Sequence, residues 1–151
     1  MATGLIETLY QDSVMVGEIE ANCYEVGGVD PTTIIRSNQP WEVKVNWKME
    51  GNGLQVMESA LIWDLHVTLE SMGPGPESSI WATNVSWGPP PAPPPAPQIK
   101  EWEGVETFNE DFIENLYQNM NPPQDPPHES VLFRVFAILT LRNGGTPLQF
   151  A

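Results

Sequence analysis

Three side chains in this sequence could act as nucleophile, base or soft metal ligand: Cys23, His66 and His128. A thiol nucleophile needs a base held beside it, and a zinc site needs several such ligands, usually in closely spaced pairs. Here Cys23 follows a mildly amphipathic stretch, His66 falls on the polar side of an alternating run, and His128 sits in a proline-rich loop. No two of them have ligand spacing, so both histidines are read as solvated and neither chemistry is expected. Carboxylates are more abundant, and Glu101, Glu103, Glu106, Glu110, Asp111 and Glu114 form the densest group. Such a group invites glycosidase or calcium readings, but it lacks EF-hand spacing. Much of it is expected on the exposed side and N-terminal approach of a helix, where negative charge complements the helix dipole. It reads as a solvated acidic face. No catalytic, cofactor-binding or metal-binding residue is assigned, and the chain is not expected to be an enzyme.

Aromatic residues are the other source of chemistry. Trp41, Trp47 and Trp63 are in phase with aliphatic residues and read as core, whereas Trp81, Trp87 and Trp102 lie beside loops and a proline run. These last three could stack on sugar rings, as surface aromatics of β-sandwiches do, or pack beneath the proline rings. They are therefore candidates for partner contact. The sequon Asn84-Val85-Ser86 has no consequence without a secretory signal.

The elements that must position these residues are mostly strands. In Trp41 to Met49, the residues Trp41, Val43, Val45, Trp47 and Met49 alternate with Glu42, Lys44, Asn46 and Lys48, the two-residue period of a sheet packed on one side. Leu61 to Leu69 repeats the pattern, and Val131 to Leu141 is the most apolar run and is expected to be central. Glu50-Gly51-Asn52-Gly53 carries hairpin-type turn chemistry and is expected to bring the first two close together. Weaker runs at 14–23, an edge strand with a bulge at Gly17, and at 32–36, 80–87 and 146–151 bring the total to six or seven strands. Gly4 to Gln11 suits a turn or two of helix, and Thr107 to Met120, with Thr107 and Glu110 as a capping box, is the one substantial helix. Gly88 to Pro97 holds seven prolines in ten residues. As a polyproline II rod of ~3.1 Å per residue it would reach roughly 30 Å and carry the chain between sheets. With no basic flank, it reads as a connector in preference to an SH3-type ligand.

No βαβ rhythm or internal repeat is present. The order and spacing of strands predict a single domain over 1–151, an all-β antiparallel two-sheet sandwich of immunoglobulin-like type, with a partly open barrel as the alternative. Acidic residues outnumber basic ones 20 to 6, for a net charge of −14, and the basic residues are dispersed, which excludes nucleic acid as an expected partner. No run is long and apolar enough to span a membrane as a helix, and one cysteine without a signal sequence points to a reducing, cytoplasmic setting. The expected role is a non-catalytic interaction or structural module that binds another protein. Two alternatives accompany it. One is self-assembly into an oligomer or fibre by strand addition through terminal apolar residues, namely Leu5, Leu9, Tyr10, Leu148 and Phe150. The other is a carbohydrate-binding module using Trp81, Trp87 and Trp102.

Overall fold

In the computed structural model the described residues are 2–6, 15–32, 35, 38–57, 59–126, 133–144 and 146–147. They form, in chain order, β1 (Ala2–Ile6), β2 (Val16–Glu25), β3 (Trp41–Glu50), β4 (Leu61–Ser71), β5 (Glu77–Ser86), β6 (Ile99–Phe108), α1 (Phe112–Gln118), β7 (Phe133–Asn143) and β8 (Thr146–Pro147). All pairings are antiparallel. One sheet has the order β1-β2-β3-β6 and the other β5-β4-β7-β8. Alternation decides which side of each sheet is buried. Every second residue of β3 from Trp41 to Met49 and of β4 from Leu61 to Leu69 is at most 4% exposed, and these two rows meet between the sheets as one core. The expected all-β sandwich with a late helix and a proline connector is the observed architecture. No helix among the described residues is long and apolar enough to cross a membrane.

Several local expectations are corrected by tertiary pairing. Gly4, Leu5 and Ile6 are strand in β1, because their backbone pairs with Glu18 and its neighbours in β2; the rest of the expected N-terminal helix lies outside the described residues. β2 is an interior strand, paired on both sides, and its register runs through Gly17 without a bulge; the one register shift falls between Val67 and Thr68 in the β4–β5 pair. Thr32 and Ile35 are not strand, and the rest of that short run is outside the described residues. Glu50–Gly53 does not close a hairpin. Gly51 takes φ 135°, a 3-10 turn over Asn52–Val56 buries Leu54 completely, and the chain crosses to the other sheet. The two long tryptophan strands therefore face each other across the core.

The sequence assigns no strand to 99–106 and begins the helix at Thr107, yet all ten residues from 99 to 108 pair with β3 as β6, from Glu50↔Ile99 to Trp41↔Phe108. The helix starts later in consequence, at Phe112, and Asp111 at its N-cap makes no side-chain capping bond. Packing replaces the cap. Phe108 stacks on Trp41 at 4.4 Å between ring centroids, Phe112 lies 4.6 Å from Phe108, and Ile113 and Tyr117 are buried.

The proline run connects β5 to β6 but is not a straight rod. It turns where Ala96 N–H donates to the Pro93 carbonyl. Two glutamines hold it: Gln55 Nε2 donates to the Pro91 carbonyl at 2.9 Å, and Gln98 Nε2 donates to the Ala92 and Ala96 carbonyls at 2.8 and 2.9 Å. Its ends are fixed too, since Trp87 N–H donates to Leu61 O and Gly51 N–H to Gln98 O, both at 2.9 Å.

On the side where β5 and β6 approach each other, Trp81 from β5 fills the space over Gly104 of β6. A Cβ at position 104 would sit 2.7 Å from Trp81 Cη2 and 2.9 Å from Leu65 Cδ2. Neither neighbour can yield without opening the core, so Gly104→Ala is expected to cost about 1–3 kcal/mol. Urea unfolding checks this, as a lower midpoint with an unchanged slope.

Candidate partner-binding faces

The outer face of the first sheet is built by strand register alone. Because β2, β3 and β6 pair without offset, Glu18, Lys48 and Glu101 form one row across three strands, and Glu20, Asn46 and Glu103 form the next. Between the rows Ile19, Trp47 and Trp102 point to the core, which leaves backbone as the floor of a shallow groove of about 610 Å³. Four carboxylates face one ammonium in it. Lys48 Nζ lies 3.1 Å from Glu18 Oε2, and that hydrogen bond, with the charges of Glu18, Glu50 and Glu101, holds its ammonium above the usual lysine range. One row further, Lys44 is engaged by Glu42 at 3.0 Å, so Glu101 and Glu103 have no ion pair among the described residues. Exposed aliphatics frame the groove: Val16 and Ile99 at one end and Val105 on the other side.

The three tryptophans proposed for partner contact are placed mostly by the core. Trp87 is 1% exposed: following β5 directly, it turns inward at the start of the proline run, so it packs within the protein and not at the surface, the alternative that the sequence favours. Trp102 is half-buried and lies 5.0 Å from Trp87, 5.6 Å from Trp63 and 6.3 Å from Trp47. Trp81 is half-buried over Gly104. Lys100 stands over the rings of both Trp87 and Trp102, at 5.5 and 5.6 Å, and donates to the Pro89 carbonyl. Partial burial lowers its pKa. Trp87 and Trp102 thus pack on other rings and under Lys100, and the Pro89, Pro91, Ala92 and Ala96 carbonyls accept from Lys100, Gln55 and Gln98.

The outer face of the second sheet is less acidic. Asp64 pairs with Arg142 at 2.7 Å, His66 is exposed beside Ile138, and Arg134 lies over the Phe136 ring at 5.6 Å. Phe136 and Ile138 are 40% and 58% exposed. Of the terminal residues proposed for self-assembly, Leu5 is in β1 opposite Glu18, while Leu9, Tyr10, Leu148 and Phe150 lie outside the described residues.

The residues with nucleophile or ligand chemistry are not brought together. Cys23 is on the inner side of β2, half-buried against the core, His66 is on the outside of the opposite sheet, and His128 is outside the described residues. Among the described residues no group of three or more His, Cys, Asp or Glu could hold a metal ion. The groove was invisible to sequence reading because its carboxylates come from strands far apart in the chain. Its one local signal in the sequence is the placement of Ile99, Glu101, Glu103 and Val105 at every second position.

Burial pushes the Cys23 thiol up to about 11. At pH 8 its thiolate fraction is then on the order of a hundredfold below that of an ordinary thiol. Labelling of the native chain with a disulfide reagent should be slow by a similar factor and reach the free-thiol rate in denaturant. The chain matches no known family model, no curated protein and no solved structure at a meaningful level.

Proposed function

We propose that this chain is a non-catalytic β-sandwich module that binds another protein, and that the outer face of its first sheet receives a basic segment of that partner. One observation carries the reading: the in-register rows Glu18–Lys48–Glu101 and Glu20–Asn46–Glu103 place four carboxylates around a single lysine, framed by exposed Val16, Ile99 and Val105. A flat sheet face with concentrated charge and apolar margins offers steering by electrostatics and burial at the edge of the contact. Strand order supports the immunoglobulin-like assignment. With β1 set aside, β2, β3 and β6 correspond to strands A, B and E, and β5, β4, β7 and β8 to C′, C, F and G. Trp63 then takes the place of the buried tryptophan on strand C. The unpaired Cys23 thiol fits the reducing, cytoplasmic setting expected from the sequence. A sugar-binding role has less support, since Trp87 is in the core and Lys100 covers Trp102.

Calorimetric titration with lysine- and arginine-rich peptides tests the reading. Binding is expected to weaken as salt rises, because the contact is exposed and screened at about 8–10 Å. The double substitution Glu101→Gln with Glu103→Gln should weaken it at least about tenfold, a change of ~1.4 kcal/mol. Neutralising Glu110 and Glu114, which are exposed next to and within α1, should leave it unchanged. Equal losses from the two pairs, or no binding at low salt, would discard this face.

A further inference from the structure

The outer side of β3 reads Glu42, Lys44, Asn46, Lys48 and Glu50, so an amide stands between two lysines. Each lysine is held by another group. Lys48 Nζ lies 3.1 Å from Glu18, and Lys44 Nζ lies 3.0 Å from Glu42 and 4.7 Å from the centre of the Tyr24 ring. The row through Asn46 is therefore unlike the rows beside it. Glu20 flanks it on β2 and Glu103 on β6, and among the described residues no cation pairs with either.

The row is built as well as charged. Glu20 is half-buried, and its Oε1 accepts a hydrogen bond of 2.8 Å from Nδ2 of Asn22, the next outward residue of β2. Asn22 is 7% exposed, so its amide is a fixed support turned toward the row. Its own Oδ1 is buried and accepts no hydrogen bond among the described residues. A buried acceptor without a donor is costly, and this one lies beside the row that lacks a cation. The Asn46 side chain lines the groove between the two carboxylates.

We infer that the basic segment received by this face presents an arginine, and that its guanidinium seats over Asn46 between Glu20 and Glu103. The inference rests on the outer face of the first sheet being the binding face. Glu20 and Glu103 stand two strand spacings apart, ~9.6 Å between backbones. A guanidinium is a planar fork that donates in several directions at once, so it bonds a carboxylate on each side and the Asn46 amide oxygen below. An ammonium is a compact point charge, which settles against one carboxylate and leaves the other unpaired. An N–H group arriving beside Glu20 also supplies the donor that Asn22 lacks. The neighbouring row is a poorer seat, since Lys48 already lies against Glu18 there and repels a second cation. The charge of the groove supplies attraction, and the uncharged position in β3 supplies the preference for arginine.

The test titrates the full chain calorimetrically with a lysine-rich peptide and with the same peptide carrying arginine at each lysine. The arginine peptide is expected to bind at least about tenfold more tightly. Of the Glu101 and Glu103 pair, Glu103 should account for most of the loss on neutralisation, and Glu20→Gln should weaken the arginine peptide by a similar factor. Glu18→Gln should change it by less than about threefold, because Lys48 already offsets that charge. Asn46→Lys fills the row with the chain's own cation and should abolish the preference for arginine, while a urea midpoint equal to or above that of the parent chain shows the variant folded. Equal binding of the two peptides, or an arginine preference that survives Asn46→Lys, overturns the seat and leaves the outer face standing as the binding surface. Binding of neither peptide at low salt overturns both.

Discussion

Two sheets of alternating strands can slide on one another unless something indexes them, and here the index is a layer of indole rings. Trp47 from one sheet meets Trp63 from the other edge to face, at 6.4 Å and 82°. Trp87 and Trp102 complete the layer within 5.0 to 6.3 Å of their neighbours. Trp87 begins the proline crossover and Trp102 lies in the strand that follows it, so one cluster joins both sheets and the connection between them. The layer has a cost. The indole nitrogens of Trp41, Trp47, Trp63 and Trp87 are buried with no acceptor among the described residues, and each desolvated donor costs about 1–3 kcal/mol unless a neighbouring ring face compensates. Edge-to-face contact is the arrangement that offers such compensation, and it is the arrangement found between Trp47 and Trp63 and between Trp63 and Trp102.

Once the layer sets the register, the outer faces follow without further choice. A strand with its apolar residues inward must display the others outward in rows, and the rows of the first sheet combine glutamates from β2 and β6 around the lysine and asparagine of β3. On the flank where β5 and β6 approach each other, Trp81 fills the space over Gly104 and β6 turns Lys100 and Glu106 inward. The charged rows on the outside of the first sheet are thus a by-product of how the core is indexed.

Sequence carried the inner rows of β3 and β4 almost residue by residue, since a two-residue period needs no partner to be read. It failed where pairing overrides local preference. Residues 99–108 hold four charges and a glycine, and only the offer of a ready partner in β3 makes them a strand. Gly51 and Asn52 have the composition of a hairpin turn, but Leu54 finds a closed pocket in the core and draws the chain across instead. The acidic groove could not be read at all before register was known, because Glu18 and Glu101 become neighbours of Lys48 only through β3.

The order in which the first sheet closes has a kinetic meaning. β3 must wait for β6, and the whole of β4, β5 and the proline run lies between Glu50 and Ile99. Pairings that distant in sequence raise the entropic barrier to folding and favour millisecond-to-second rates over the microseconds of local folds. A proline-rich connector lessens that barrier, because its residues have few conformations to lose in the unfolded chain. The stiff segment that spans the two sheets therefore also helps decide how quickly they find one another.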